Sequence, residues 1–557
     1  MTFLDVVTTG DLGAIEQELT RGADVNATDA TGSTALMWAV DSGRNDVLQL
    51  LLDHNPSMEI SNRSGRDVLA LAKAKGDVSV VALLHEYQRK RLKETLDELP
   101  GLCEEMEEVC EICQGILRRL QTAHKQLKAL NGEAAMNARA NLSPIVYNFH
   151  SLLLQHSKKT MLERLVGTRT VIGLLRELHC DIDGIADLVA PNSSPLHQPW
   201  QEQWENEVAT VETKLINGVK AIIEQLQLEL DNPSLQVEVL TLLVYESVEH
   251  SSHYSPEMRA IFESVMKKVI RFSRLRVPEV ADWFIPEYEV QRQSHHFAFG
   301  SFGKVYRGTW LESKVVIKCV DPKSEEDKRT FRREARIWHK ARHRHIVNFF
   351  GACDQGNSWF FVCEEATNGK LKNYLYQQKK KGRSLAWRKM YEVALGLHFL
   401  HQRHIIHNDL KGNQILVSAE GVAMLTDFGL SFMSAESRPL APAHGAVRWK
   451  APECLKNSEI APTPESDIYS LGMCIIEAVT GEFPWGTLPD AVVMFHVNKG
   501  MPLPRPQEFE SDEQWKFVKE LCAPEPSSRL KLSDAIRKLK KFAAEEADAE
   551  YKRRITS

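Results

Sequence analysis

The chain has 557 residues, too many for one compact core, so three or four domains are expected. Its 69 Lys+Arg stand against 75 Asp+Glu, a near balance that argues against nucleic acid or an anionic membrane as the main partner. Hydrophobic residues at 43% and charged ones at 26% make an ordinary soluble mixture. No apolar run is long enough to span a bilayer. Asp5 interrupts the stretch where a signal peptide needs its apolar core. Thr2 stands where N-myristoylation needs glycine, and the ending R-I-T-S is no prenylation box. With ten scattered cysteines, these features predict a cytoplasmic protein with reduced thiols.

Residues 1–88 carry an internal repeat. Gly10, Gly43 and Gly76 recur about every 33 residues, as do Gly32 and Gly65. The same offset lays Leu36 over Leu69, Ala39 over Ala72, and Leu50-Leu51 over Leu83-Leu84. Gly22 falls over Asn55, and both residue types tolerate a left-handed turn. The copy from Ser33 to His54, with G-A-D-V-N before it, resembles an ankyrin repeat. Each unit should be two short antiparallel helices that bury apolar faces on their neighbours. Two units and a partial third make a short array, which is expected to rest on the next segment of the chain. A plain bundle of helical hairpins is the alternative.

Residues 89–275 read as a helical bundle with coiled-coil-like faces. Cys103, Met106, Cys110, Cys113, Leu117, Leu120, His124 and Leu127 step mostly by threes and fours, the mark of a packing seam. Cys110 and Cys113 have no second ligand pair nearby, so they read as small core residues rather than zinc ligands. Asn131-Gly132 should break this helix, and a second helix should cover Met161 to Leu188. After a loop from Pro191 to Pro199, a third helix runs from Trp204 to Leu226 and is ended by Asn232-Pro233. Further helices reach about Leu275. The segment holds no catalytic constellation and is expected to bind partners or inhibit. Residues 276–290 read as an extended linker, and residues 543–557 as a charged tail made of a frayed helix end.

The region 291–542 is organised by short patterns in a fixed order. They are F-A-F-G-S-F-G-K-V from Phe297, V-V-I-K ending at Lys318, H-N-D-L-K around Asp409, D-F-G at Asp427 and A-P-E ending at Glu453. This set resembles the protein kinase signature. Lys411 and R-W-K-A-P-E resemble the serine/threonine kinases of the tyrosine-kinase-like group. The resemblance implies an α+β bilobal kinase fold, so the whole chain is expected to be multidomain: an α-solenoid of ankyrin repeats, an α-helical bundle and the kinase.

It also implies roles. Ala298, Phe299, Gly300, Ser301, Phe302, Gly303 and Val305 would form the turn over the phosphates of ATP, where glycine permits close approach of backbone N–H groups. Lys318 would anchor the phosphates, held by Glu334. Val316, the gatekeeper Cys363, and the hinge from Glu364 to Ala366 would contact adenine. Asp409 would be the base that orients a protein hydroxyl, with Lys411 beside the transferring phosphate. Asp427 and Gln414 would hold Mg2+, with Mn2+ possible, because a hard cation wants oxygen ligands. Glu453 would pair with Arg529, Asp467 would brace the catalytic loop, and Trp338, Phe349, His407 and Phe428 would stack as an apolar spine.

Five positions depart from the family pattern. Ala298 replaces its first glycine, Val316 its alanine, Asn408 its arginine, Gln414 its metal-binding asparagine and Ala446 its threonine. Asn408 removes the partner of an activation-loop phosphate, so a switching role for Ser431, Ser434 or Ser437 is not expected. The leading expectation is an active ATP-dependent serine/threonine protein kinase with a protein substrate, whose ankyrin and helical regions bind protein partners. The alternative is a pseudokinase scaffold that binds nucleotide weakly or not at all.

Overall fold

A computed structural model describes residues 3–29, 31–62, 65–129, 133–189, 200–300, 303–356, 358–428, 432–433, 447–456 and 461–556. The chain divides into two compact units, one of Met1–Ala281 with Ser294–Ala298, the other of Asp282–Gln293 with Phe299–Ser557.

In the first unit, paired helices α1 (Phe3–Thr9) and α2 (Leu12–Thr20), α3 (Ala35–Ser42) and α4 (Asn45–Leu52), and α5 (Val68–Lys75) and α6 (Val78–Glu104) build three stacked repeats. The 33-residue offset is written in the backbone. Gly10, Gly43 and Gly76 all have φ near +70°, and Gly22 and Asn55 are both left-handed. Thr34 and Asp67 cap α3 and α5 at matching positions, each accepting a backbone N–H from three residues on. Ala39, Ala72, Leu51 and Leu84 are fully buried between the repeats.

The third repeat does rest on the segment after it. Helix α6 runs through residue 88 without a break, so its first half closes the array and its second half starts the bundle. Tyr87 and Arg91 both donate to the carbonyl of Pro56, while Leu92, Leu96 and Leu99 are buried further along.

The bundle continues through α7 (Cys110–Ala129), α8 (Glu133–Ser157), α9 (Met161–Val189), α10 (Gln201–Ile222), α11 (Leu226–Glu229), α12 (Pro233–Glu249) and α13 (Pro256–Ser273). The cysteine-leucine seam is split between two helices, because α6 ends at Glu104 and α7 starts at Cys110. Cys103 and Cys113 are buried core thiols. Helix α8 escaped the sequence reading, and the Asn131-Gly132 break and the 191–199 loop lie outside the described residues. Asn232-Pro233 opens a helix as well as following one. The Asn232 side chain accepts from Ser234 N, and Pro233 takes the first turn, where its missing N–H costs nothing. Buried carboxylates find partners across the bundle: His156 and Arg164 on Glu108, and Arg169 and the Tyr254 hydroxyl on Glu246.

The second unit starts with a five-stranded sheet in the order β1-β2-β3-β5-β4: β1 (Val290–Gly300), β2 (Gly303–Trp310), β3 (Ser313–Val320), β4 (Phe349–Cys353) and β5 (Trp359–Glu364). Part of the expected linker belongs to this unit. Trp283, Phe284 and Ile285 are buried, and the backbone around Phe284 pairs in parallel with Ala352 on β4. Helix α14 (Glu325–Lys340) begins at a reciprocal Ser324–Asp327 cap and packs Phe331, Ala335, Ile337 and Trp338 onto the sheet.

The helical part comes next, with α15 (Leu371–Lys380), α16 (Ala386–Gln402), α17 (Pro452–Lys456), α18 (Pro464–Thr480), α19 (Asp490–Asn498), α20 (Asp512–Leu521) and α21 (Leu532–Thr556). Short pairs β6 (Ile405–Ile406) with β9 (Phe432–Met433), and β7 (Ile415–Val417) with β8 (Ala423–Leu425), carry the loops between. The expected frayed tail is instead the second half of α21. Buried Glu546 accepts from Ser384 Oγ, Trp387 N and Arg388 N, and so caps the start of α16.

Candidate active site

Strand alternation aims the first group of side chains. Val315 and Ile317 are buried, so Val316 and Lys318 take the other face of β3. There Val316 lies opposite Cys363 and Lys318 opposite Phe361, with Val305 of β2 across from Lys318. Gly303 permits the close approach of β2, since a Cβ there would lie 2.2 Å from the carbonyl oxygen of Cys319. Arg307 ties the turn-bearing strand to the hinge through a 2.6 Å bond to Glu365. Ala298, Phe299 and Gly300 end β1, and Ser301 and Phe302 lie outside the described residues.

Lys318 Nζ stands 3.6 Å from Glu334 Oε1 and 3.5 Å from Asp427 Oδ1. Burial acts to lower the Lys318 pKa, but Glu334 and Asp427 outweigh it and hold the ammonium charged. Burial also acts to raise Asp427, yet Lys318, His407 and the Gln414 amide keep it below the usual carboxylate range. Glu334 bears the strain of sharing one cation. Burial pushes it up to about 7, against the pull of Lys318.

The second group hangs from the loop between β6 and β7. Lys411 Nζ is 2.7 Å from Asp409 Oδ2. The Gln414 side-chain nitrogen donates to Asp427 Oδ2 at 2.7 Å and lies 3.4 Å from Asp409 Oδ2, bridging the two carboxylates. Asn408 and Asp427 adopt left-handed φ of 65° and 67°, a conformation that Asn and Asp accept more readily than other side chains. Asp467 braces the loop by accepting from His407 N and Asn408 N, both at 2.9 Å. Trp338 stacks on Phe349 and touches Phe428, which meets His407, so the apolar spine is continuous. Arg529 grips both oxygens of Glu453 at 2.7 Å.

Sequence reasoning missed three supports. Glu477, buried on α18, accepts from Gly412 N and Trp449 Nε1, and a side chain on Gly412 would collide with it. His401 bonds Asp467 at 2.9 Å. Buried Lys389 and Glu392 pair at 2.8 Å, and Glu392 also accepts from Ala423 N on β8. The available signal was a lone Glu inside the apolar run C-I-I-E-A-V. Ala446, Ser431, Ser434 and Ser437 lie outside the described residues.

The family of protein tyrosine and serine/threonine kinases matches residues 292–539, and that of ankyrin repeats in three copies matches residues 4–94. The second unit is therefore a protein kinase domain, and the first begins with an ankyrin array. In this pairing the chain is similar to tyrosine-kinase-like kinases that carry N-terminal ankyrin repeats. It is 30% identical to the serine/threonine-protein kinase STY17 of Arabidopsis thaliana over 257 residues, 45% of each chain. It is 31% identical to the mitogen-activated protein kinase kinase kinase YODA of the same plant over 238 residues, 41% of this chain and 27% of that one. The chain thus spans less than half the length of these curated relatives.

Proposed function

We propose that this protein is an ATP-dependent serine/threonine protein kinase. The observation that carries the reading is the charged set: Lys318 between Glu334 and Asp427, and Asp409 on Lys411, joined by Gln414. Phosphoryl transfer asks a protein for position and charge more than for covalent chemistry, and this set supplies both. Lys318 would hold nucleotide phosphates, Asp409 would orient the incoming hydroxyl, and Lys411 would face the transferred group. Val305, Val316, Cys363, Glu364 and Ala366 would receive adenine, with the turn of residues 298–303 above the phosphates.

The residues also fit a divalent cation. Asp427 is held ionised, and Gln414 can offer a neutral amide oxygen, two hard donors of the kind Mg2+ or Mn2+ takes. When bound, the cation would neutralise phosphate charge. Gln414 presents its oxygen only by turning its nitrogen away from Asp427. The scaffold alternative is not favoured, because no member of the charged set is missing. The ankyrin and helical regions would select protein partners. Ten free cysteines support a cytoplasmic setting, and among the described residues no helix is long and apolar enough to cross a membrane.

The test is phosphate transfer from labelled ATP by the full chain with magnesium or manganese. Activity should vanish in Asp409→Asn while the melting temperature holds. A full chain that shows neither transfer nor a thermal shift with nucleotide would refute the proposal.

A further inference from the structure

A cleft of about 480 Å3 opens where α16, the β7–β8 turn and the C-terminal half of α21 meet, lined by none of the residues proposed to meet nucleotide, metal or substrate. Its chemistry is two-sided. Ala543, Ala544 and Ala547 put small side chains along the α21 wall, with Leu395 and Val422 opposite, so an apolar side chain finds room between them. The rim is cationic: Arg344, Arg388 and Lys540 are all exposed on it.

The buried charges in the wall leave a cationic excess on that rim. Glu392 pairs with Lys389 at 2.8 Å and with Arg388 at 3.5 Å, one carboxylate between two cations, and Lys389 also donates to the Gly421 carbonyl. His345 is kept neutral by burial, which lowers its pKa. Glu420 is the exposed carboxylate lining the cleft, with Arg344 near enough to act on it. The chain as a whole is acidic, so a basic rim here is a local feature rather than a reflection of composition.

From this cleft we infer a docking site for a partner protein's acidic peptide, one that sets an apolar side chain on the alanine wall and carboxylates against Arg344, Arg388 and Lys540. The volume is too large for a lone inorganic anion, and the open, mixed lining suits a peptide segment better than a compact apolar ligand. A short stretch of chain joins the cleft to the active centre. Gly421, at φ +79°, sits in the turn between β7 and β8. The other ends of those strands lead to Gln414, just before β7, and to Asp427, two residues beyond β8.

The full chain would be titrated, by fluorescence polarisation, into three labelled ten-residue peptides: alternating Glu and Leu, alternating Lys and Leu, and alternating Glu and Ser. The Glu-Leu peptide should bind best, and Arg344→Glu with Lys540→Glu should weaken it roughly tenfold, as expected for two exposed charge pairs turned repulsive. Ala547→Trp, at an exposed position, should block binding by filling the wall and keeps the test open if the charge variant fails to fold. Equal binding of the Lys-Leu or Glu-Ser peptide, competition by a DNA oligonucleotide of the same charge, unchanged affinity in the folded variants, or no binding at all would each overturn the inference.

Discussion

Shortening Gln414 to asparagine separates two jobs of one side chain. The change removes one methylene and pulls the amide back by about 1.5 Å. The nitrogen now 2.7 Å from Asp427 and 3.4 Å from Asp409 would leave hydrogen-bond reach of both. A hydrogen bond to a charged, buried group is worth about 1.5–3 kcal/mol net, and the lost methylene adds somewhat under 1 kcal/mol. Without divalent cation, Gln414→Asn should therefore cost roughly 2–4 kcal/mol, or about 4–16 °C in the melting of the kinase unit. With magnesium and nucleotide the order should change. The asparagine oxygen faces the metal without breaking a bond to Asp427 first, so the deficit should shrink and magnesium should bind more tightly. Scanning fluorimetry in EDTA and in a magnesium series, beside the metal dependence of phosphate transfer, reads both effects. An equal melting deficit with and without cation, with unchanged metal dependence, would show that Gln414 is only a structural bridge.

Glu334 gives a pH signature. Its folded pKa of about 7 lies above its ordinary value, so the stability it contributes is complete below the unfolded pKa and is lost as pH rises through 7. Glu334→Gln should remove that decline, on the order of 3 kcal/mol, and parallel pH–stability curves for the two proteins would contradict the assignment. Arg529→Met leaves Glu453 buried without its bidentate partner and should cost about 3–5 kcal/mol in denaturant titrations, with much of it recovered by Glu453→Leu in the same chain. The Glu453 pKa is depressed, because burial is outweighed by Arg529, so this pair's contribution is present above the usual carboxylate range and fades as pH falls through the lowered value. Glu546→Ala leaves the start of α16 uncapped and should cost about 1–2 kcal/mol, with faster amide exchange at Trp387 and Arg388; unaltered exchange there would disprove the cap.

The parts legible in sequence were those encoded by local pattern. Lys318, Asp409 and Asp427 sit in short strings, and the ankyrin glycines repeat at fixed offset, so neither needed tertiary knowledge. Helix limits were less legible. The seam through Cys103 and Cys113 kept its period across the α6–α7 break, because both helices bury one face in the same bundle. Buried carboxylates were the least legible. Glu546 lies in an alternating acidic stretch that looks solvated, and its donors are some 160 residues away. Glu477 and Glu392 likewise serve backbone amides on distant elements, a relation that periodicity does not record.

Helix α6 gives the N-terminal half an unusual inheritance. A repeat array joined by a flexible tether can be lost, duplicated or exchanged as a cassette. Here the array's last helix is also the bundle's first, so any such event would cut a continuous rod between Tyr87 and Leu92 and expose apolar surface on both sides. Variation in the array is therefore expected to arise by substitution on its surface, with the bundle carried along unchanged.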